Sequence, residues 1–104
     1  MFPLTKIRMD EGVKAFRQTP GAVLLDVREP DEYAEGHVPG SINLPLGQIA
    51  GITARVPGLD TPLFVHCRSG ARSSRAVAEL RRMGYRNAVN IGGMLDYHGE
   101  VEQG

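Results

Sequence analysis

The chain has 104 residues, enough for one compact domain with an ordinary core, and its 12 Lys+Arg balance 12 Asp+Glu, so no global field favours nucleic acid or a membrane surface. Its 41% hydrophobic content, 13 Gly and 7 Pro are those of a globular protein, not of a disordered, collagen-like or membrane chain. The single cysteine excludes an internal disulfide and a CxxC redox pair, and with three scattered histidines it argues against a cysteine-based metal site.

The opening residues, MFPLTKIRMDEG, hold no apolar run long enough for a signal peptide or a membrane span, so the expected compartment is the cytoplasm. Short apolar runs then alternate with helical periodicity, the pattern of an α/β domain with a mainly parallel sheet. Residues 1–104 read as one domain, with no repeat or linker. Strands are expected over residues 5–8, 22–27, 42–44, 63–66 and 88–91. Two of them contain the continuous runs Ala22-Val23-Leu24-Leu25 and Leu63-Phe64-Val65, which suit central strands covered on both faces. Asp10 is a candidate cap for a helix presenting Val13, Ala15 and Phe16. Pro30, Asp31 and Glu32 open a short helix, and residues 46–56 form another. The clearest helix spans residues 73–83, where Ala76, Val77, Leu80 and Met83 share a face, Arg81 and Arg82 lie near the end, and Gly84 stops it.

The most informative segment runs Phe64-Val65-His66-Cys67-Arg68-Ser69-Gly70-Ala71-Arg72-Ser73-Ser74-Arg75: an apolar strand, a cysteine, a loop of small residues and a helix start. Ser69, Gly70 and Ala71 let the backbone curl so that successive N–H groups point at an anion over the sulfur. The positive end of the following helix adds to that field. Flanked by Arg68, Arg72 and Arg75, Cys67 is expected to favour the thiolate, as cysteines in such places have pKa values of about 3.5–7.5 against roughly 8.5 when free. A lone cysteine at a strand end also serves as a small buried hydrophobe, but that role needs neither the turn, the arginines nor the helix.

Ten arginines against two lysines favour binding of forked oxyanions. Arg75 falls in the first helical turn, where a cation opposes the helix dipole unless an acid such as Asp26 is near or the residue faces the site. Asp26 and Arg28 follow a buried strand, so they are expected on one face at the same sheet edge as Cys67, where open α/β sheets bind ligands. His66 adjoins Cys67 and invites a general-base role, yet strand neighbours point to opposite faces, so it is expected to pack beneath the sheet. His37, in Gly-His-Val-Pro-Gly, reads as part of a structural turn.

Four segments in order, LLDVREPDEY (24–33), GHVPGSINLP (36–45), HCRSGARS (66–73) and NIGG (90–93), make the chain resemble a single-domain rhodanese, the thiosulfate sulfurtransferase family. The resemblance implies a rhodanese-like α/β fold with a central, mainly parallel five-stranded sheet flanked by helices, and a catalytic Cys67 in a six-residue loop over residues 67–72. It implies a sulfurtransferase: the thiolate attacks the outer sulfur of a small anionic donor such as thiosulfate, sulfite leaves, and a thiol or cyanide takes the sulfur from the Cys67 persulfide. Arg68, Ser69, Gly70, Ala71 and Arg72 become the donor-binding residues, with the Arg72 fork on the donor's oxygens. Asp26, Arg28 and Arg75 become supporting residues, and no metal or cofactor is implied. An arginine-rich loop resembles thiosulfate-using members more than mercaptopyruvate-using ones. Tyr97 stands where many members carry tryptophan and is expected to wall the pocket, Asp96 brings an acid near it, and a short last helix is expected after Tyr97. Three rival readings stay in view: a non-catalytic binding module, a persulfide carrier for a protein acceptor, and a cysteine phosphatase or arsenate reductase. The last resembles loops with five residues between Cys and Arg, whereas four separate Cys67 from Arg72.

Overall fold

A computed structural model of the chain describes residues 8–104. Its sheet consists of β1 (Val23–Asp26), β2 (Ile42–Asn43), β3 (Leu63–Cys67) and β4 (Ala88–Gly93), all parallel, in the order β2-β1-β3-β4. The continuous apolar runs are the two middle strands, in which Leu24, Leu25, Leu63 and Val65 have no exposed surface. Among the described residues the sheet therefore has four strands, not five. The remaining expected strand falls on residues 5–8, of which only Arg8 is described, as the extended residue ahead of the first helix.

That helix, α1 (Met9–Gln18), lies on one face of the sheet, with Met9 and Val13 against Leu24, Phe64 and Ile91. Burial of Met9 starts the helix one residue before Asp10, so Arg8 takes the cap position expected of Asp10. Asp10 sits in the first turn, where a carboxylate suits the helix dipole, and accepts hydrogen bonds from His98 N at 2.9 Å and His98 Nδ1 at 2.8 Å. Over residues 46–56 the expected single helix divides into a 3₁₀ segment, Leu46–Gly51, and α3 (Ile52–Arg55), a division that Gly47 and Gly51 favour because glycine weakens an α-helix. With α4 (Ala71–Arg82) these cover the opposite face, where Ile49, Ile52, Ala76 and Leu80 meet Leu25, Val27, Leu63 and Val65. Among the described residues no helix is long and apolar enough to cross a membrane.

The short α2 (Pro30–Glu35) is held at both ends. A capping box joins Glu29 and Glu32, with Pro30 at the start, and Tyr33 donates its hydroxyl to the Ser41 carbonyl at 2.6 Å while stacking on His37 at 3.8 Å. His37 is structural, as its turn suggested. The helix expected after Tyr97 does not form: a 3₁₀ turn, Met94–Asp96, leads into a strand-like return in which Glu102 pairs with His37 and Gly104 N donates to the Ala34 carbonyl. The return thus lies against the C-terminal end of α2.

Strand alternation places His66 with Asp26, its partner across β1 and β3, on the α1 side, away from the α4 side where Cys67 packs. His66 is fully buried; Nε2 lies 3.9 Å from Asp26 Oδ2 and has no hydrogen-bond partner among the described residues. Burial pushes the His66 pKa down, against the opposing pull of Asp26. As pH falls below about 6.5, the unfolded chain takes up a proton that folded His66 resists, so stability declines with acid. The urea midpoint is expected to be lower at about pH 5 than at about pH 7.5, and His66→Gln is expected to lose part of that difference. An equal acid response in both proteins would show that His66 is not its source.

Candidate active site

β3 delivers Cys67 to the C-terminal edge of the sheet, where the chain turns through Arg68, Ser69 and Gly70 into α4. The turn requires Gly70 to adopt φ +104°, a left-handed conformation that glycine takes without the Cβ clash. It curls the loop around the sulfur. Cys67 Sγ accepts hydrogen bonds from Gly70 N at 3.1 Å and Ser73 N at 3.4 Å, with Ser73 Oγ at 3.5 Å. Burial alone would push the thiol up. The Ser73 hydroxyl and the N–H groups of Ser73, Gly70 and Ser69 outweigh it and hold the Cys67 pKa below its ordinary value. The Ser73 hydroxyl has one proton, and its shorter contact is to Asn90 Oδ1 at 2.8 Å, so the backbone donors are the dependable part of this set.

Two residues of β4 hold the loop from behind. Asn90 donates Nδ2 to the Gly70 carbonyl at 3.1 Å and accepts from Ser73 Oγ and, at 2.9 Å, from Gly92 N. Its neighbour Ile91 is the extra residue of a bulge, because Val65 pairs with Asn90 but His66 with Gly92. The resulting shift sets Gly93 opposite Cys67. A Cβ on Gly93 would lie 2.0 Å from the Arg68 carbonyl oxygen and 2.5 Å from Ser69 N. Only a residue without a side chain lets the loop sit this close, and the same carbonyl accepts a hydrogen bond from Leu95 N at 3.0 Å.

The arginines separate into different roles. Arg72 makes a bidentate pair with Glu32, Nη1 to Oε1 at 2.6 Å and Nη2 to Oε2 at 3.0 Å. The hydrogen bond from Arg72 holds Glu32 down at about 2. Arg68 is exposed, makes no ion pair among the described residues, and lines a groove of about 480 Å³ with Arg28, Glu32, Glu35, Leu95 and Val101. Ser69 and Ala71 are exposed in the loop. Arg75 is not among the groups around the sulfur; it lines a separate groove with Leu46, Ile49, Ala78 and Glu79. Nor is Asp26 its partner, because Asp26 is fully buried and bound by Arg28 through Nε at 3.0 Å and Nη2 at 2.8 Å. Arg28 continues to the Gly36 carbonyl at 2.8 Å, so this pair braces the loop that carries α2.

Tyr97 and Asp96 do not wall the cysteine's pocket. Tyr97 packs with the α1-side cluster of Met9 and Val13 and donates its hydroxyl to the Glu100 carbonyl at 2.7 Å, while the exposed Asp96 borders a depression shared with Arg8, Asp10 and His98. Sequence reasoning assigned no site role to Glu32, Ser73 or Asn90, and none to Gly93 beyond its place in NIGG. Asn90 carried a signal, as a polar residue in a half-apolar strand, and Glu32 carried another, as the acid of a capping box.

The sequence matches the family of the rhodanese-like domain over residues 9–100. It is 38% identical over 73 residues to the thiosulfate sulfurtransferase PspE of Escherichia coli, covering 69% of this chain and 70% of that protein. It is 34% identical over 80 residues to the putative sulfur carrier protein YrkF of Bacillus subtilis, covering 76% of this chain but only 43% of that longer protein. Among solved structures, a rhodanese with anions from E. coli superposes with a TM-score of 0.75 at 34% identity, covering 80% of this chain and 99% of that one. The cysteine-centred loop, the parallel α/β sheet that carries it and the family match across nearly all of its length agree: this chain belongs to the rhodanese-like domain family.

Proposed function

We propose that residues 1–104 act as a single-domain thiosulfate sulfurtransferase, working in the cytoplasm, with Cys67 as the nucleophile. The observation that carries this reading is the buried Cys67 sulfur held by backbone N–H groups at the start of α4, with its pKa lowered. The thiolate attacks the outer sulfur of thiosulfate; a Cys67–sulfur bond forms, the bond to the sulfonate sulfur breaks, and sulfite departs with that electron pair. A thiolate or cyanide then attacks the outer sulfur of the persulfide, and Cys67 leaves as thiolate. Ala71 and Arg72 are the first helical residues, whose N–H groups have no acceptor within the helix. These N–H groups suit the charge on the outer sulfur. Cys67 has no exposed surface, so the loop must shift slightly to admit a donor. The name of PspE supports thiosulfate as donor, and the name of YrkF supports the second reading, delivery of the same persulfide to a protein acceptor.

Thiosulfate is expected to add one sulfur atom to the intact chain, and cyanide or a thiol to remove it, as read by intact mass. Cys67→Ser is expected to abolish both the gain and turnover while melting close to the parent. A parent protein that gains no mass at mildly alkaline pH would overturn the assignment.

Gly93→Ala tests the close backing of the loop. The added methyl must push the Arg68 peptide away, and a displacement of about 1 Å at a reacting group costs roughly a hundredfold in rate. Turnover is expected to fall by about that factor while the protein remains folded, and parental turnover would show that the position of the N–H ring is not limiting.

The four residues between Cys67 and Arg72 also bear on substrate choice, since a tetrahedral phosphate would crowd so short a ring. Aryl phosphates are expected to remain intact in the presence of the protein. Robust hydrolysis that depends on Cys67, without persulfide formed from thiosulfate, would replace the sulfurtransferase reading with a phosphatase.

A further inference from the structure

The loop's last cation is already occupied. Arg72 offers both terminal nitrogens to both oxygens of Glu32, the two-point geometry with which a guanidinium grips a forked oxyanion. Donor oxygens would need the same fork. The pair is not sealed in the core: the Arg72 and Glu32 side chains are 33% and 28% exposed, so it stands where a ligand arrives from solvent. Glu32 is also fixed in place, because its Oε1 accepts from Glu29 N at 3.0 Å in the capping box of α2, and Arg28 ties the end of that helix to the sheet through the Gly36 carbonyl. A donor approaching Arg72 therefore meets a stationary carboxylate.

We infer that Glu32 is a specificity-determining residue, which neutralises Arg72 at the mouth of the loop and so sets how strongly the site discriminates between doubly and singly charged sulfur donors. The inference rests on the sulfurtransferase reading and deepens it. With the Arg72 charge cancelled, attraction of the donor falls to the loop N–H groups, the start of α4 and Arg68, which makes no ion pair among the described residues. The second negative charge of a dianion gains little from Arg72 and is opposed by Glu32. No proton relieves that opposition at neutral pH, since Glu32 ionises far below it.

The test compares thiosulfate, a dianion, with methanethiosulfonate, a monoanion carrying the same transferable sulfur. Glu32→Gln keeps the capping-box acceptor and the shape but removes the charge. It is expected to raise kcat/KM for thiosulfate about threefold to tenfold, mainly through KM, and to raise that for methanethiosulfonate less, because the change scales with donor charge. Glu11→Gln, which removes one carboxylate from the exposed side of α1 on the opposite face of the sheet from α4, is expected to keep the parental ratio of the two donors. Should Glu32→Gln melt below the assay temperature, Arg72→Gln carries the same test with opposite sign: it leaves Glu32 unneutralised and is expected to lower the ratio by a similar factor. A ratio unchanged in the folded variant, or a raised KM for thiosulfate in Glu32→Gln, overturns the role of Glu32 alone. If the parent forms no persulfide from either donor, the sulfurtransferase reading falls and this inference with it.

Discussion

A sulfur withdrawn from water at the end of a strand must find its hydrogen-bond partners in the protein, and at Cys67 those partners come chiefly from the backbone. Burial favours the neutral thiol, whereas N–H groups aimed at the sulfur favour the thiolate. The second effect prevails only while the loop keeps its curl. That curl depends on Gly70 in a left-handed conformation, on Asn90 gripping the Gly70 carbonyl, and on the space left by Gly93 beneath the Arg68 peptide. The bulge in β4 serves the same end, since it sets Gly93 level with the cysteine.

A second layer of order belongs to α2. Buried Asp26 holds Arg28, Arg28 holds the carbonyl at the end of the helix, and the return through Glu102 lies against the adjoining His37. The Asp26–Arg28 pair has several hydrogen bonds and a further carbonyl acceptor, the condition under which a buried ion pair escapes a large desolvation penalty. What this bracing positions is the carboxylate of Glu32. The site thus joins a cysteine sulfur held by one helix start with an arginine whose charge is balanced from another helix.

Much of this was legible in the sequence where the cause is local. The position of Cys67 between an apolar strand and a helix follows from adjacent residues, and strand alternation correctly sends His66 to the opposite face. The central strands declared themselves by continuous apolar runs. Partners distant along the chain were harder to foresee. Glu32 and Arg72 are 40 residues apart, and the sequence shows an arginine available for a donor without showing the acid already on it. Arg75 was misplaced for a similar reason: its position in the helix is clear, but the acid invoked for it, Asp26, is taken by Arg28. Tyr97 and Asp96 were read by their distance from the Gly-Gly pair, and the turn at Met94–Asp96 carries both away from the sulfur. Sequence distance could not reveal that turn.

Because the sulfur is held mainly by peptide N–H groups, most side chains around the loop are not bound to the chemistry they surround. Ser69 and Ala71 are exposed, and Arg68 contributes its carbonyl to the framework while its side chain faces the groove. Replacing such residues alters what the loop presents to a visitor without dismantling the ring of donors, whereas Gly70 and Gly93 have no comparable freedom. A lineage built on this plan can therefore drift in charge and shape at the rim in small steps, with the ring of N–H groups around the sulfur passed on intact.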